Sequence, residues 1–206
     1  MKKILMLAVA LSVALGLSTF ATGLGQASQA EKSVPAADKT TPSYDMKAQA
    51  IVDLEQLQKK YVSLAESIPA DKYAWRPEGG VRSVAELFLH VAAANYNFPT
   101  MIGTTPAPGF QAKGFEKSTS DKTKIIEQLN RSFEYAIASV QAMSNADFAK
   151  PEKKLGPDAN DGDVIYLMVT HCHEHLGQSI AYSRVNGIVP PWTAEAMKKD
   201  SKAPQE

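Results

Sequence analysis

Four histidines are the residues of this chain best suited to chemistry. His171, His173 and His175 lie close together in THCHEHLGQ, and His90 stands alone in SVAELFLHVAAANY. Neutral imidazole is the commonest metal ligand among side chains, and residues four apart lie on one face of a helix. His171 and His175 can therefore bind one ion, with His90 as the third ligand. Three protein ligands and an open position are typical of a reactive metal centre, so we predict a divalent transition metal here: zinc, nickel or iron.

The other residues of this segment have different predicted roles. His173 is about 200° from His171 around a helix, so we expect it at the surface. Cys172 lies on the flank of the predicted ligand face, and we interpret it as a small core thiol. Gln178, three positions after His175, is a candidate hydrogen-bond partner for a ligand or a bound water.

Two other interpretations of the histidine pair stay open. Both residues could be core histidines with hydrogen-bonded ring nitrogens, since burying an imidazole without partners is costly. His171 to His175 also spells H-x-x-E-H, the pattern of inverzincin peptidases, in which Glu174 would be the base. Those enzymes need a further acidic ligand well downstream, and only the short segment 176–206 follows His175.

Glu86 is an acidic residue one helical turn before His90. It completes an S-x-x-E capping box with Ser83, and this box predicts the start of a helix. A role in orienting His90, or as an acid or base near the metal, is the alternative. No catalytic residue is assigned from the sequence.

Apolar residues recur at three- and four-residue steps in four long segments, which predicts four helices. They are expected over about residues 44–67, from Ser83 to the residue before Pro99, over 121–143, and over 163–186 with Gly187 as the C-cap. Strand-like alternation is nearly absent. The pattern predicts an all-α four-helix bundle, a fold that builds metal sites from inward residues of facing helices.

Residues 1–30 are predicted to be a signal peptide. Lys2 and Lys3 precede the apolar run 4–17, and a small-residue cleavage site ends at Ala30. This order is typical of a secretory signal, and the apolar run is shorter than the ~20 residues that span a bilayer. We therefore predict an exported protein, either periplasmic or secreted. The remaining chain is divided into a flexible linker over 31–43, the bundle over 44–194 and a flexible tail over 195–206.

Composition limits the function of the mature chain. Cleavage leaves residues 31–206, enough for one domain with a real core, and removes two of the 22 basic residues and none of the 22 acidic ones. The resulting formal charge of −2 gives no electrostatic case for nucleic-acid binding. One cysteine excludes an intramolecular disulfide, and after cleavage no segment is apolar enough to cross a membrane. The expected partner is an unidentified small-molecule substrate, and the oligomeric state is open between a monomer and a homodimer.

Two long segments resemble the DinB-like (DinB/YfiT) superfamily of metal-dependent proteins. IPADKYAWRPEGGVRSVAELFLHVAAANYNF is similar to the first half of such proteins, and HCHEHLGQSIAYSRVNGIVPPW is similar to their last helix and its exit. The similarity spans about residues 49–192. It implies an up-and-down-type four-helix bundle with a three-histidine metal site, whose ligands correspond to His90, His171 and His175. His173 matches no ligand position.

The resemblance implies several reactions. Some relatives are thiol-dependent transferases and others are hydrolase-like, but the thiol cofactors of the former are cytosolic, whereas this chain is predicted to be exported. Our first hypothesis is an exported metal-dependent enzyme of transferase or hydrolase type. The alternative is a non-catalytic, stress-associated bundle in which the ion only joins two helices, and an inverzincin-type peptidase is a third interpretation.

Export predicts a defined mature N-terminus. Cleavage after Ala30 places Glu31 first, because the small-residue site ends at Ala30. N-terminal sequencing of the exported form should therefore begin with Glu-Lys-Ser. A soluble cytosolic protein that keeps Met1 would contradict the predicted localisation.

Overall fold

A computed structural model describes residues 44–201, and apart from one isolated β-bridge, between Pro151 and Asn160, their regular structure is helical. The five α-helices are α1 (Met46–Ser67), α2 (Val84–Met101), α3 (Lys122–Ala142), α4 (Asp161–Val185) and α5 (Pro191–Asp200). The predicted signal peptide, the linker over 31–43 and residues 202–206 lie outside the described residues. No described helix combines the length and apolarity that a bilayer crossing requires.

Side-chain caps fix the starts of the two helices that carry the predicted ligands. Before α2, the Ser83 hydroxyl accepts from the Glu86 backbone N–H, and the Glu86 carboxylate accepts from the Ser83 N–H. This confirms the predicted capping box. Asn160 and Asp163 form an equivalent box before α4, so this helix begins slightly earlier than predicted, at Asp161. Such boxes satisfy backbone donors that have no partner within the helix.

The four long helices form a four-helix bundle, as predicted. The main packed pairs are α1 with α3, α3 with α2, α2 with α4 and α4 with α1, so the helices form a ring in that order. The consecutive helices α1 and α2 therefore lie across a diagonal, unlike the neighbours of a simple up-and-down bundle. The connector between them, residues 68–83, is long enough to cross this diagonal.

The core lies along the central axis and is lined by aromatic and aliphatic residues. Tyr61 packs against Phe133 with ring centroids 5.5 Å apart, and its hydroxyl donates to the Cys172 backbone oxygen at 2.7 Å. Because this buried hydroxyl has a partner, it costs little to bury. The largest fully buried side chains are Tyr61, Tyr73, Phe88, Phe133, Leu54, Leu57, Leu64, Ile68, Leu87, Leu89, Ile125 and Leu129.

Two lysines join opposite ends of the antiparallel helices α1 and α3. Lys47, in the first turn of α1, donates to the Met143 carbonyl and, at 2.8 Å, to the Gln141 carbonyl at the end of α3. Lys122, in the first turn of α3, donates to the carbonyls of Glu66 and Ile68 at the end of α1, at 2.7 and 2.8 Å. Terminal carbonyls lack intrahelical donors, and a cation there is also favoured by the helix dipole.

The second helix continues past the predicted stop at Pro99. It ends at Met101, with Pro99 buried inside it. Proline removes one backbone N–H and therefore one helical bond, but it lies close to the helix end. The Pro99 carbonyl also accepts from the Thr104 N–H at 3.0 Å. The free-energy cost of losing this one backbone hydrogen bond is small enough to be offset by burial of the Pro99 side chain.

The C-terminal segment also differs from its predicted flexibility. Residues 195–200 continue α5, which starts at Pro191, a residue suited to the first helical position. The neighbouring Trp192 packs against the core, and the Lys60 ammonium lies 5.9 Å from its ring centroid. The packing of Trp192 against the core stabilises the start of α5. The polar sequence after it, taken alone, predicts a flexible tail.

Candidate metal centre

The pairing of α2 with α4 brings three of the four histidines together. The ring centroids of His171 and His175 are 4.4 Å apart, and the His90 centroid lies 5.0 Å from the first and 4.7 Å from the second. One potential ligand atom from each ring lies within 4.8 Å of the others, and the described residues form no second cluster of this kind from histidine, cysteine, aspartate or glutamate. The structure thus assembles the predicted trio.

The spacing of the ring nitrogens suits a common ion. The Nε2 atoms of His90 and His171 are 3.1 Å apart. Zinc–nitrogen bonds of 2.0–2.1 Å in a tetrahedron would place two ligand nitrogens about 3.3 Å apart. The geometry therefore fits a shared ion. Because the same distance also permits a hydrogen bond between the two rings, metal ligation stays a prediction.

Glu116 orients His90 from outside the long helices. Its Oε1 lies 2.7 Å from His90 Nδ1, and Arg82 donates to the same carboxylate from Nε at 2.8 Å and from Nη2 at 3.3 Å. An imidazole that donates Nδ1–H to a carboxylate keeps its Nε2 lone pair free for a metal, and such partners fix the ring and raise its basicity. The sequence analysis missed Glu116, which lies in a short 3₁₀ turn, Phe115–Lys117.

Gln178 plays the corresponding part for His175, as predicted. Its side-chain oxygen lies 2.9 Å from His175 Nδ1, and its amide nitrogen donates to the Tyr182 hydroxyl at 3.0 Å. Tyr182 in turn meets Trp75 edge to face, with ring centroids 5.4 Å apart. The aromatic pair therefore holds the glutamine, and the glutamine leaves Nε2 of His175 free.

His171 has no such partner. Its Nδ1 is the one buried side-chain nitrogen or oxygen in the described part of the chain without a hydrogen bond. Burial, followed by the neighbouring His175 and His90, lowers the pKa of His171 to about 4, and burial is also the largest cause of the lowered pKa of His90. Both rings are therefore neutral at pH 7, the form that binds metals.

Electrostatics also favour an ionised Glu116. Burial raises the pKa of its carboxyl group, but hydrogen bonds from Arg82 and His90 outweigh this effect and lower the pKa below its ordinary value. The negative charge of Glu116 beside His90 would partly balance the positive charge of a bound ion. It also raises the basicity of the imidazole and so its strength as a ligand.

The remaining candidates lie away from the ring cluster. His173 is exposed, as its angular position predicts, and Glu174 is exposed beside it. The third histidine of the cluster comes from upstream, which differs from the downstream acid of the inverzincin pattern. Glu86 caps α2 and pairs with Arg76 at 3.0 Å. Cys172 is buried, and burial raises the pKa of its thiol to about 12, consistent with a core thiol.

Comparison with known proteins identifies the family. The family model described as the DinB superfamily matches residues 53–179, more than half of the chain. The chain belongs to the DinB superfamily. The match includes all three clustered histidines, the whole of the first DinB-like segment noted in the sequence and the beginning of the second. None of the curated proteins is detectably similar to the chain.

A solved structure gives the same fold. YfiT from Bacillus subtilis, described as a probable metal-dependent hydrolase with an unusual four-helix bundle topology, superposes with a TM-score of 0.56 at 17% identity. The alignment covers 74% of this chain and 94% of YfiT. At this identity the likeness establishes the DinB four-helix fold.

Replacing each histidine with alanine tests the ligand set. His90→Ala, His171→Ala and His175→Ala should each weaken zinc binding by roughly a hundredfold, since each removes one of three ligands. Titration calorimetry of the purified protein measures this. His173→Ala is the matched control on the exposed face of α4 and should bind zinc normally. Loss of binding in His173→Ala alone would mean that the ion does not bind at the ring cluster.

Glu116 variants test the contact with His90. Glu116→Ala should weaken zinc affinity about 10- to 100-fold, because His90 loses its orienting acceptor. Glu116→Gln keeps an oxygen acceptor without the charge and should fall between the wild type and Glu116→Ala. Glu127→Gln, which removes an exposed carboxylate on α3, is the control. Equal zinc affinities across all three variants would exclude the proposed orienting role.

Proposed function

We propose that this protein is an exported metal-dependent hydrolase of the DinB superfamily that acts on a small molecule. The description of YfiT as a probable metal-dependent hydrolase supports the reaction class, and the signal-like N-terminus supports export. Hydrolysis needs only water as co-substrate, whereas thiol transfer needs a low-molecular-weight thiol from the cytosol. The proposed setting therefore favours hydrolysis.

One observation carries the proposal: three imidazoles converge, and protein acceptors orient two of them. A structural zinc site normally has four protein ligands, whereas this cluster supplies three histidines and no fourth ligand from the described residues. The site is also reachable, since His90 and Glu116 keep 21% and 34% of their side chains exposed. An open coordination position with solvent access suits catalysis better than structural bridging.

The residues of the chain divide the work of such a site. His90, His171 and His175 would hold a divalent ion, which when bound supplies Lewis acidity and lowers the pKa of water. Glu116 accepts the Nδ1 proton of His90, and Gln178 accepts that of His175. Phe98 meets His171 with ring centroids 5.5 Å apart and supplies an apolar group beside that ring.

Metal removal separates catalysis from a structural role. Chelation should abolish hydrolysis of a panel of activated esters, amides and phosphoesters, and zinc or nickel should restore it, with His90→Ala inactive throughout. The melting temperature should fall on chelation because a ligand of the native state stabilises it. The helical circular-dichroism signal at room temperature should remain, since the core of the bundle contains none of the three histidines.

Two outcomes would contradict the proposal. Collapse of the helical signal on chelation would favour the non-catalytic alternative, in which the ion chiefly joins α2 to α4. Zinc binding without turnover of any hydrolysable substrate in the panel would favour the same alternative. If no transition metal changed the melting temperature, the cluster would be a hydrogen-bonded histidine group.

A further inference from the structure

A cavity of about 470 Å³ lies at one end of the bundle, away from the histidines. It opens between the residues that follow α2, the C-terminal half of α3 and the start of α4, where Asp161 forms part of its wall. Asp161 and His171 are ten positions apart on α4, or about 15 Å along the helix axis. The cavity is therefore separate from the candidate metal centre.

Asp161 is an unusual residue for such a wall. The residue as a whole is only 7% exposed. Among the described residues no side chain pairs with its carboxylate, but neither carboxylate oxygen is fully buried, so the group keeps contact with solvent at the cavity. Lys150 and Asp147 line the same cavity, but they pair with each other at 2.6 Å. A carboxylate with little room for water and no ion-pair partner attracts a cation more strongly than a fully hydrated one, so a ligand that supplies a cation would bind beside it.

The rest of the lining indicates what kind of cation fits. Ile102, Ala138 and Met143 contribute apolar surface to the same cavity wall, next to hydroxyl groups such as those of Tyr135 and Ser139. A metal ion is a poor fit, because the acidic residues around Asp161 do not converge as ligands; the described residues bring only the three histidines close enough. An ammonium group with a hydrocarbon body matches both parts of the wall.

We propose that this cavity binds a small aliphatic amine, with the ammonium group at Asp161 and the hydrocarbon chain against Ile102, Ala138 and Met143. Pockets for small ligands commonly combine an apolar wall with a few placed polar groups and have volumes of this size. This site is independent of the proposed hydrolase activity and of metal binding.

A competing explanation places Asp161 in a purely structural role. It lies in the first turn of α4, where the helix dipole favours a carboxylate. In that case, removing the charge would destabilise the protein and would leave amine binding unaffected. The two roles therefore predict opposite results for Asp161→Asn.

Calorimetric titration with three matched probes tests the proposal on the mature protein at neutral pH. Hexylamine, hexanol and hexanoate share a hydrocarbon chain and differ in head-group charge. Hexylamine should bind at least tenfold more tightly than hexanol, and hexanoate should not bind. His90→Ala should bind hexylamine like the wild type, which separates this site from the metal centre.

Three variants locate the site. Asp161→Asn should weaken hexylamine binding at least tenfold, leave hexanol binding unchanged and melt no lower than the wild type. Asp158→Asn removes a nearby exposed charge outside the cavity and should change nothing. Ala138→Phe, on the cavity wall, should block hexylamine and hexanol alike. Equal hexylamine affinity in Asp161→Asn and the wild type, or equal binding of hexylamine and hexanol, would overturn the proposal.

Discussion

Three partly buried imidazole rings at the contact of two helices present six ring nitrogens, and their burial limits how many of these can be hydrated by water. Glu116 and Gln178 take one nitrogen each. The nitrogens left facing one another across the cluster are either hydrogen-bonded in pairs or bound to an ion, and the Nδ1 of His171 stays without a partner. The cost of desolvating these atoms explains why so many surrounding groups are arranged around the rings. Three features position these groups. They are the packing of α2 against α4, the turn that carries Glu116, and the contact between Tyr182 and Trp75 behind Gln178.

The position of Glu116 depends on aromatic packing outside the core. Phe110 lies 4.7 Å from Tyr96 and 5.0 Å from Phe115, measured between ring centroids. These contacts hold the segment between α2 and α3 against the bundle, and Glu116 follows Phe115 directly. Edge-to-face and offset aromatic pairs add directionality to apolar burial. A loop without a strong intrinsic conformation thus presents one carboxylate at a fixed place beside His90.

The features that the sequence reveals are those governed by helical periodicity. The apolar stripes identify the four long helices, and the four-residue step from His171 to His175 predicts that these rings share a face. Periodicity shows which face of a helix is buried but not which neighbouring helix it packs against. The diagonal placement of α1 and α2 could therefore not be predicted from the sequence. Glu116 gives no signal at all, since it lies far from His90 in the sequence, in an aperiodic turn. The earlier start of α4 follows from the Asn160–Asp163 box, a variant of the capping pattern with Asn and Asp in place of Ser and Glu.

The lysine bridges between α1 and α3 have a consequence for how the bundle opens. Each lysine belongs to the beginning of one helix and closes the end of the other, so fraying at either end of the pair disrupts both helices at once. The two helices are separated in sequence by the whole of α2, yet the lysine contacts join their ends at both ends of the pair. Neither carries a histidine of the cluster. The lysine contacts therefore lie entirely outside α2 and α4, and loosening of those two helices around the histidines would leave the contacts in place.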